Sequence, residues 1–268
     1  MALLAAGLVS GCSAHDSAQT KTAPAGPKVL HIVFPEGFTR EAMAQRVAVV
    51  RRIAERKRHV TPRLSATGYL AATRSSALPG RFAGDGKRRS LEGFLFPATY
   101  AFFSNENARH FVRRQLDAFR SAWSRVDLRH ARSKNLTPYD VLIIASMIER
   151  EVLVPRERRL VAAVIYNRLH ARMALQIDAT LRYGLHIPAT QAITQLELDS
   201  SSPYNTRRRP GLPPTPISNP GLLSMQAAAH PARVAYLYFA RTPDKKHHFF
   251  TASAAEFNRY LAAHGYGR

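Results

Sequence analysis

Between Thr137 and Glu151 the chain is apolar on nearly every side, and few folds can house such a segment. Thr137 followed by Pro138 is an N-cap and first-turn signal, and Val141, Leu142, Ile143, Ile144, Met147 and Ile148 leave no broad polar face for water. A helix of this kind belongs inside a core, with other elements packed around it. Its last turn carries Glu149, one turn beyond Ala145 and two beyond Leu142, with Val152 and Leu153 following. Normal helical pitch therefore sets a carboxylate on apolar ground. Desolvation raises the pKa of a carboxyl group, and a carboxylic acid that stays protonated near neutral pH can serve as a general acid. A structural reading competes with this one. Glu149 and Glu151 can equally be polar residues at the exposed end of a core helix, partnered by Arg150, Arg156 and Arg158.

The rest of the chain predicts an α+β fold: a mostly helical domain with a small β-hairpin, preceded by a short α/β unit. At 268 residues and 46% hydrophobic content, the chain can bury one large core or a large and a small one. Residues 1–12 read as a signal or lipobox-like segment, 13–28 as a flexible tether, 29–75 as the small α/β unit and 76–268 as the main domain. In the small unit, Val29 to Phe34 reads as a strand, Pro35-Glu36-Gly37 as a turn, and Thr39 as the start of a helix with Met43, Val47, Val50 and Ile53 inward. Helices follow at about 62–73 and 106–125, the latter with Val112, Leu116, Phe119 and Trp123 on one face. Glu92-Gly93 and Pro97 interrupt the aromatic run between them. Pro155 opens a helix that runs to about His170. Asp178 either caps a short helix ending at Gly184 or belongs to the site. Prolines stiffen residues 201–221, where Tyr204, Asn205 and Thr206 can stack on or hydrogen-bond a sugar, or Asn205 can cap a turn. A hairpin around Pro243-Asp244-Lys245-Lys246 and a last helix with Ser253 and Glu256 as a capping box complete the pattern.

The net charge is +21, with most of the basic residues arginine. Such a balance suits an anionic partner, but the arginines are scattered and no nucleic-acid-binding signature accompanies them. Anionic lipid and acidic wall polymers fit equally well. Cys12 is the lone cysteine, so no intramolecular disulfide forms. It follows an uncharged apolar stretch in Val-Ser-Gly-Cys, which resembles the lipobox of a bacterial lipoprotein. His247 and His248 are adjacent on a strand, face opposite ways, and make a poor pair of metal ligands. No metal site and no cofactor are expected.

Several ordered segments resemble the MltG (YceG-like) family of endolytic murein transglycosylases. They are Leu91-Glu92-Gly93-Phe94-Leu95-Phe96-Pro97 with Thr99-Tyr100, Ala145-Ser146-Met147-Ile148-Glu149-Arg150-Glu151, Tyr166-Asn167-Arg168-Leu169, and Leu175-Gln176 with Asp178 and Thr180. Ser202-Pro203-Tyr204-Asn205-Thr206, Gly211-Leu212-Pro213-Pro214, Asn219-Pro220-Gly221, Tyr238-Phe239 and His248-Phe249 continue the series. The chain departs from the family pattern at Ala98, Ile177, Ala179, Arg207 and Phe257, all flanking positions.

The resemblance implies that Glu149 is the catalytic carboxylate and that Glu92, Asn167, Gln176, Asp178, Tyr204, Asn205 and Thr206 line the substrate site. The reaction implied is cleavage of the MurNAc–GlcNAc β-1,4 bond inside peptidoglycan strands, leaving 1,6-anhydroMurNAc ends, in cell-wall synthesis and remodelling. Implied partners are glycan strands, a membrane anchor through a lipidated Cys12 and peptidoglycan synthases, with no nucleic acid. The catalytic domain is then extracytoplasmic, on the outer face of the cell membrane. Two other readings stand beside it: a glycoside hydrolase that uses Glu151 or Asp178 as a second carboxylate, and a non-catalytic wall- or nucleic-acid-binding protein.

Overall fold

The computed structural model describes residues 26–74, 78, 82 and 89–265. Cys12 and its lipobox-like setting, and all of the tether before residue 26, lie outside the described residues. In chain order the elements are β1 (Val29–Val33), α1 (Arg40–Arg58), α2 (Ala66–Thr73), β2 (Thr99–Phe103), α3 (Ala108–Trp123), α4 (Arg129–Ser133) and α5 (Pro138–Glu151). A 3-10 turn (Pro155–Glu157) leads into α6 (Arg158–His170), α7 (Asp178–Leu185), α8 (Gln195–Leu198) and α9 (Leu222–Ala229). The chain closes with β3 (Tyr238–Arg241), β4 (His248–Thr251) and α10 (Ala254–Ala263). This is the expected α+β arrangement, mostly helical with two small sheets among the described residues.

Helix α5 is the axis of the core. Thr137 Oγ1 accepts the Asp140 N–H at 3.2 Å and Asp140 Oδ2 accepts the Thr137 N–H at 2.8 Å, so both ends of a capping box are made, with Pro138 in the first turn. Every residue from Val141 to Ile148 is buried. Each large apolar side chain among them contributes about 1.5–3 kcal/mol of transfer free energy relative to exposure. Ser146, the one polar residue of that stretch, donates to Ile143 O (2.7 Å), accepts from Ile217 N (3.0 Å) and offers its carbonyl to Ser218 Oγ (3.0 Å). The loop before α9 is thus fixed to the middle of α5. Helices α6 and α9 both pack on α5, and the buried Ala227, Ala228 and Ala229 let the α9 backbone come close.

Strand β1 pairs antiparallel with β2, from Val29 opposite Phe103 to Val33 opposite Thr99. Alternation sends Leu30, Ile32, Tyr100 and Phe102 inward, where Phe34, Tyr69 and Phe111 complete an aromatic cluster with ring centroids 5.5 to 6.4 Å apart. The register holds the Pro35–Gly37 turn against the helical core.

Four local expectations are corrected. Ile53 lies outward at 52% exposure while Ala54 is buried, because α1 turns a narrower face inward than the spacing of its aliphatic residues indicated. Helix α2 begins at Ala66, capped by the Ser65 side chain, rather than near residue 62. Asp178 is the first residue of α7, not its cap: Ile177 holds the cap position, with no side-chain bond. Only half of the Ser253–Glu256 box forms, since Ser253 Oγ accepts the Glu256 N–H while the Glu256 carboxylate takes the Thr251 hydroxyl.

Candidate active site

Glu149 stands on the last turn of α5, its side chain 5% exposed. Gly221 N–H donates to its Oε2 at 2.9 Å, and Arg158 Nη2 lies 3.5 Å from its Oε1. A backbone dipole and a guanidinium thus offset the cost of burying this charge. Arg158 is set by the 3-10 turn, which aims the first residue of α6 at the end of α5. Its Nε donates to Ser224 Oγ at 3.0 Å, its Nη2 is also 3.8 Å from Glu36 Oε2, and its Nη1 is buried with no hydrogen-bond partner.

Two carboxylates therefore share one guanidinium. Glu36 comes from the turn after β1, with its side chain about half exposed, so this edge of the site meets solvent. Partial burial pushes the Glu36 carboxyl up from its ordinary range and the charge of Glu149 pushes the same way, against the pull of Arg158. Gly37 at φ +77° allows the turn. Its N–H donates to Asn219 O (2.9 Å), the Asn219 N–H and Nδ2 donate to Phe38 O (2.9 and 3.0 Å), and Arg150 Nη1 donates to Gly37 O (3.2 Å). Gly221 is squeezed between the two acids: a Cβ there would collide with the Glu36 carboxylate.

Glu92, 1% exposed, meets the Glu149 site through the Asn219–Gly221 loop. It accepts the Arg40 N–H at the start of α1 (3.2 and 3.1 Å), Asn219 Nδ2 (2.8 Å) and the Tyr183 hydroxyl (3.2 Å). Desolvation pushes its carboxyl up to about 8, although the Arg40 N–H, Arg40 charge and Tyr183 hydroxyl all pull down. Glu92 thereby ties α1 and α7 to the Asn219–Gly221 loop that holds Glu149. Glu151 is turned away from this group, and burial raises its carboxyl.

The other expected residues gather around α7. Asp178 is paired with Arg207 (2.9 and 2.6 Å), so the arginine at a position where the family pattern differs neutralises it. Gln176 takes φ +55° and its Oε1 accepts from Arg168 Nη1 (3.2 Å). Tyr204 sets its ring edge-on to Tyr183 and shares a hydrogen bond with Thr215 (2.8 Å). Asn205 is fully buried, its amide nitrogen on Leu198 O (2.9 Å) and Ser200 O (2.8 Å) and its Oδ1 on the Arg207 N–H (3.2 Å). Thr206 is buried against Ile177 N (3.1 Å) and Thr180 Oγ1 (3.0 Å). Asn167 lies elsewhere, donating to Val234 O and Tyr236 O (2.9 and 2.8 Å). The structure thus joins Glu149 to Glu92 through the Asn219 loop, gathers Gln176, Asp178, Tyr204, Asn205 and Thr206 around α7, where Tyr183 links Tyr204 to Glu92, and leaves Asn167 apart. Sequence reasoning missed Glu36, Ser224 and the placing of Gly221, and named Arg158 only as a possible surface partner. The matched Asn219-Pro220-Gly221 segment was the one signal that pointed near them.

Among the described residues no three His, Cys, Asp or Glu side chains are grouped to hold a metal ion, and no helix is long and apolar enough to cross a membrane. His248, buried, is bound to Glu157 at 2.8 Å, and burial lowers its imidazole pKa.

Fold and site together define a helix-rich α+β protein with a buried carboxylate clasped between two loops at the end of a core helix. The chain belongs to the YceG-like family, whose model matches residues 8–263. It is similar to the endolytic murein transglycosylase of Bacillus subtilis, 34% identical over 154 residues that make up 57% of this chain and 42% of that protein. It is likewise similar to the endolytic murein transglycosylase of Streptococcus pneumoniae strain R6, 26% identical over 259 residues, 90% of this chain and 46% of the other. The chain spans less than half the length of these curated relatives. Among solved structures, the crystal structure of a YceG-like protein from Listeria monocytogenes matches with a TM-score of 0.69 at 28% identity, over 86% of this chain and 75% of that one.

Proposed function

We propose that the chain is an endolytic peptidoglycan lytic transglycosylase with Glu149 as acid and base in turn. The observation that carries this reading is the Glu149 carboxylate, buried on three sides by α5, Gly221 and Arg158 yet bordered by the half-exposed Glu36. A proton on Glu149 goes to the glycosidic oxygen as the C1–O bond breaks. The carboxylate then takes the proton of the C6 hydroxyl on the same muramoyl residue, that oxygen closes on C1, and no water is consumed. The substrate's own acetamido group can share the positive charge at C1, as in substrate-assisted glycosidases. The Gly221 N–H and Arg158 orient the carboxylate throughout. The names of the relatives support murein as the substrate, and with it an extracytoplasmic catalytic domain; anchoring at the membrane rests on the lipobox-like setting of Cys12 alone.

One observation favours a second reading. Glu36 and Glu149 lie on the same guanidinium, so a hydrolase in which Glu36, rather than Glu151 or Asp178, activates water has its two carboxylates in place. Mass spectrometry of products from purified peptidoglycan separates the two, because hydrolysis yields reducing ends one water heavier than 1,6-anhydro ends. In the α7 cluster, Asn205 and Thr206 are proposed to brace the loop, and Tyr204 and Gln176 to border the glycan.

A further inference from the structure

Beside the Glu149 group, and separated from it by the Arg158 side chain, lies a cavity of about 670 Å³ between the end of α3, the start of α6 and α9. Four guanidinium groups line it: Arg125, Arg156, Arg158 and Arg159. Asp127, at its rim, does not neutralise them, since its carboxylate is held by Arg129 (2.8 and 2.6 Å) and faces His230 (3.5 Å). Arg125 and Arg156 form no ion pair among the described residues, and Arg159 spends only its Nε, on His230 O (3.0 Å). Arg158 is 8% exposed and its guanidinium is already shared by Glu149 and Glu36, so it shapes the wall while Arg125, Arg156 and Arg159 supply the charge that a ligand would meet.

The lining is not uniformly basic. Pro155, Leu223 and Ala227 put apolar surface between the arginines. A lone phosphate would leave most of such a trough empty. An extended ligand with carboxylates spaced by short aliphatic side chains would fill it, pairing planar guanidiniums with carboxylates. Arg158 forms the wall common to the trough and the Glu149 site, so a group carried by the sugar at Glu149 would lie next to the trough. We propose that the trough binds the acidic stem peptide carried by the muramoyl residue, so that the preferred substrate is a glycan strand whose stems keep free carboxylates. This inference rests on the transglycosylase reading of Glu149.

The test measures binding of the full-length Glu149→Gln protein to glycan strands with native acidic stems and to the same strands after amidation of the stem carboxyls. The acidic strands should bind about tenfold tighter, the worth of one charge-assisted hydrogen bond. Arg125→Gln with Arg156→Gln should bring the ratio close to one, and the Lys pair at the same positions should restore at least half of the preference. Equal binding of the two strand types, or a Gln pair that keeps the preference, overturns the proposal; the first of these outcomes needs no variant in the trough. Competition by a glycerol-phosphate polymer as strong as that by acidic strands also overturns it, in favour of a phosphate site. Cleavage assays with the wild type keep the two ideas apart: cleavage without discrimination sinks the stem site alone, and discrimination without cleavage sinks the transglycosylase alone.

Discussion

Gly221 carries the tightest constraint near Glu149, because its N–H holds one carboxylate while its α-carbon faces the other. Gly221→Ala should therefore move Glu36 or the loop by the width of a methyl group and lower kcat on peptidoglycan at least tenfold, since misplacement of about an ångström at a reacting group is costly. The melting temperature should shift little, as Gly221 has an ordinary negative φ. Circular dichroism and turnover on one preparation check this; full activity would show that the Glu36–Gly221 contact has no bearing on the reaction. Glu92 makes a pH prediction. Its folded pKa of about 8 stands above the ordinary 4.5, so the unfolded chain releases this proton first as pH rises. The stability of the wild type relative to Glu92→Gln should then fall between about pH 4.5 and 8, by at most about 1.4 kcal/mol per pH unit, and level off above. Urea unfolding of both proteins across that window measures the difference, and a rise with pH would mean that the donors on Glu92 outweigh its desolvation.

At the scale of elements, residues 201–210 form a loop that spends its polar side chains on itself and on α7. Asn205→Ala strips donors from two carbonyls, so stability should drop by about 2 kcal/mol while turnover per folded molecule holds. Thermal unfolding and kinetics on the same sample decide this, and normal stability with lost turnover would return Asn205 to the glycan. The elements differ in how plainly the sequence announced them. Helix α5 was legible from Thr137, Pro138 and the apolar run, because capping and burial act within a few residues of each other. Strands β1, β3 and β4 were legible from alternation and turns. Helix α9 was not, because Leu222 to Ala229 mixes small residues with no polar stripe, and its helix is selected by packing on α5 and α6.

At the scale of the whole molecule, the site depends on contacts between segments far apart in the chain. Glu149 was readable because the last turn of its own apolar helix sets it on apolar ground, although Gly221 and Arg158 complete its burial. Glu36 was not, since nothing local to Pro35-Glu36-Gly37 says that the β1–β2 register and the Asn219 loop bring the turn to α5. Anchoring belongs to this scale as well: Cys12→Ala should release the protein from the membrane fraction with its catalytic rate intact, and equal fatty-acid labelling of mutant and wild type would contradict a lipid at Cys12. The central claim concerns the bond that Glu149 cleaves and the way it closes. Purified peptidoglycan incubated with the full chain should yield internal cleavage with 1,6-anhydro ends and no gain of water, and Glu149→Gln, still folded, should slow this by about 100-fold or more, the usual worth of positioned proton transfer. Products one water heavier, or a Glu149→Gln protein that keeps half of the wild-type rate, would contradict the account.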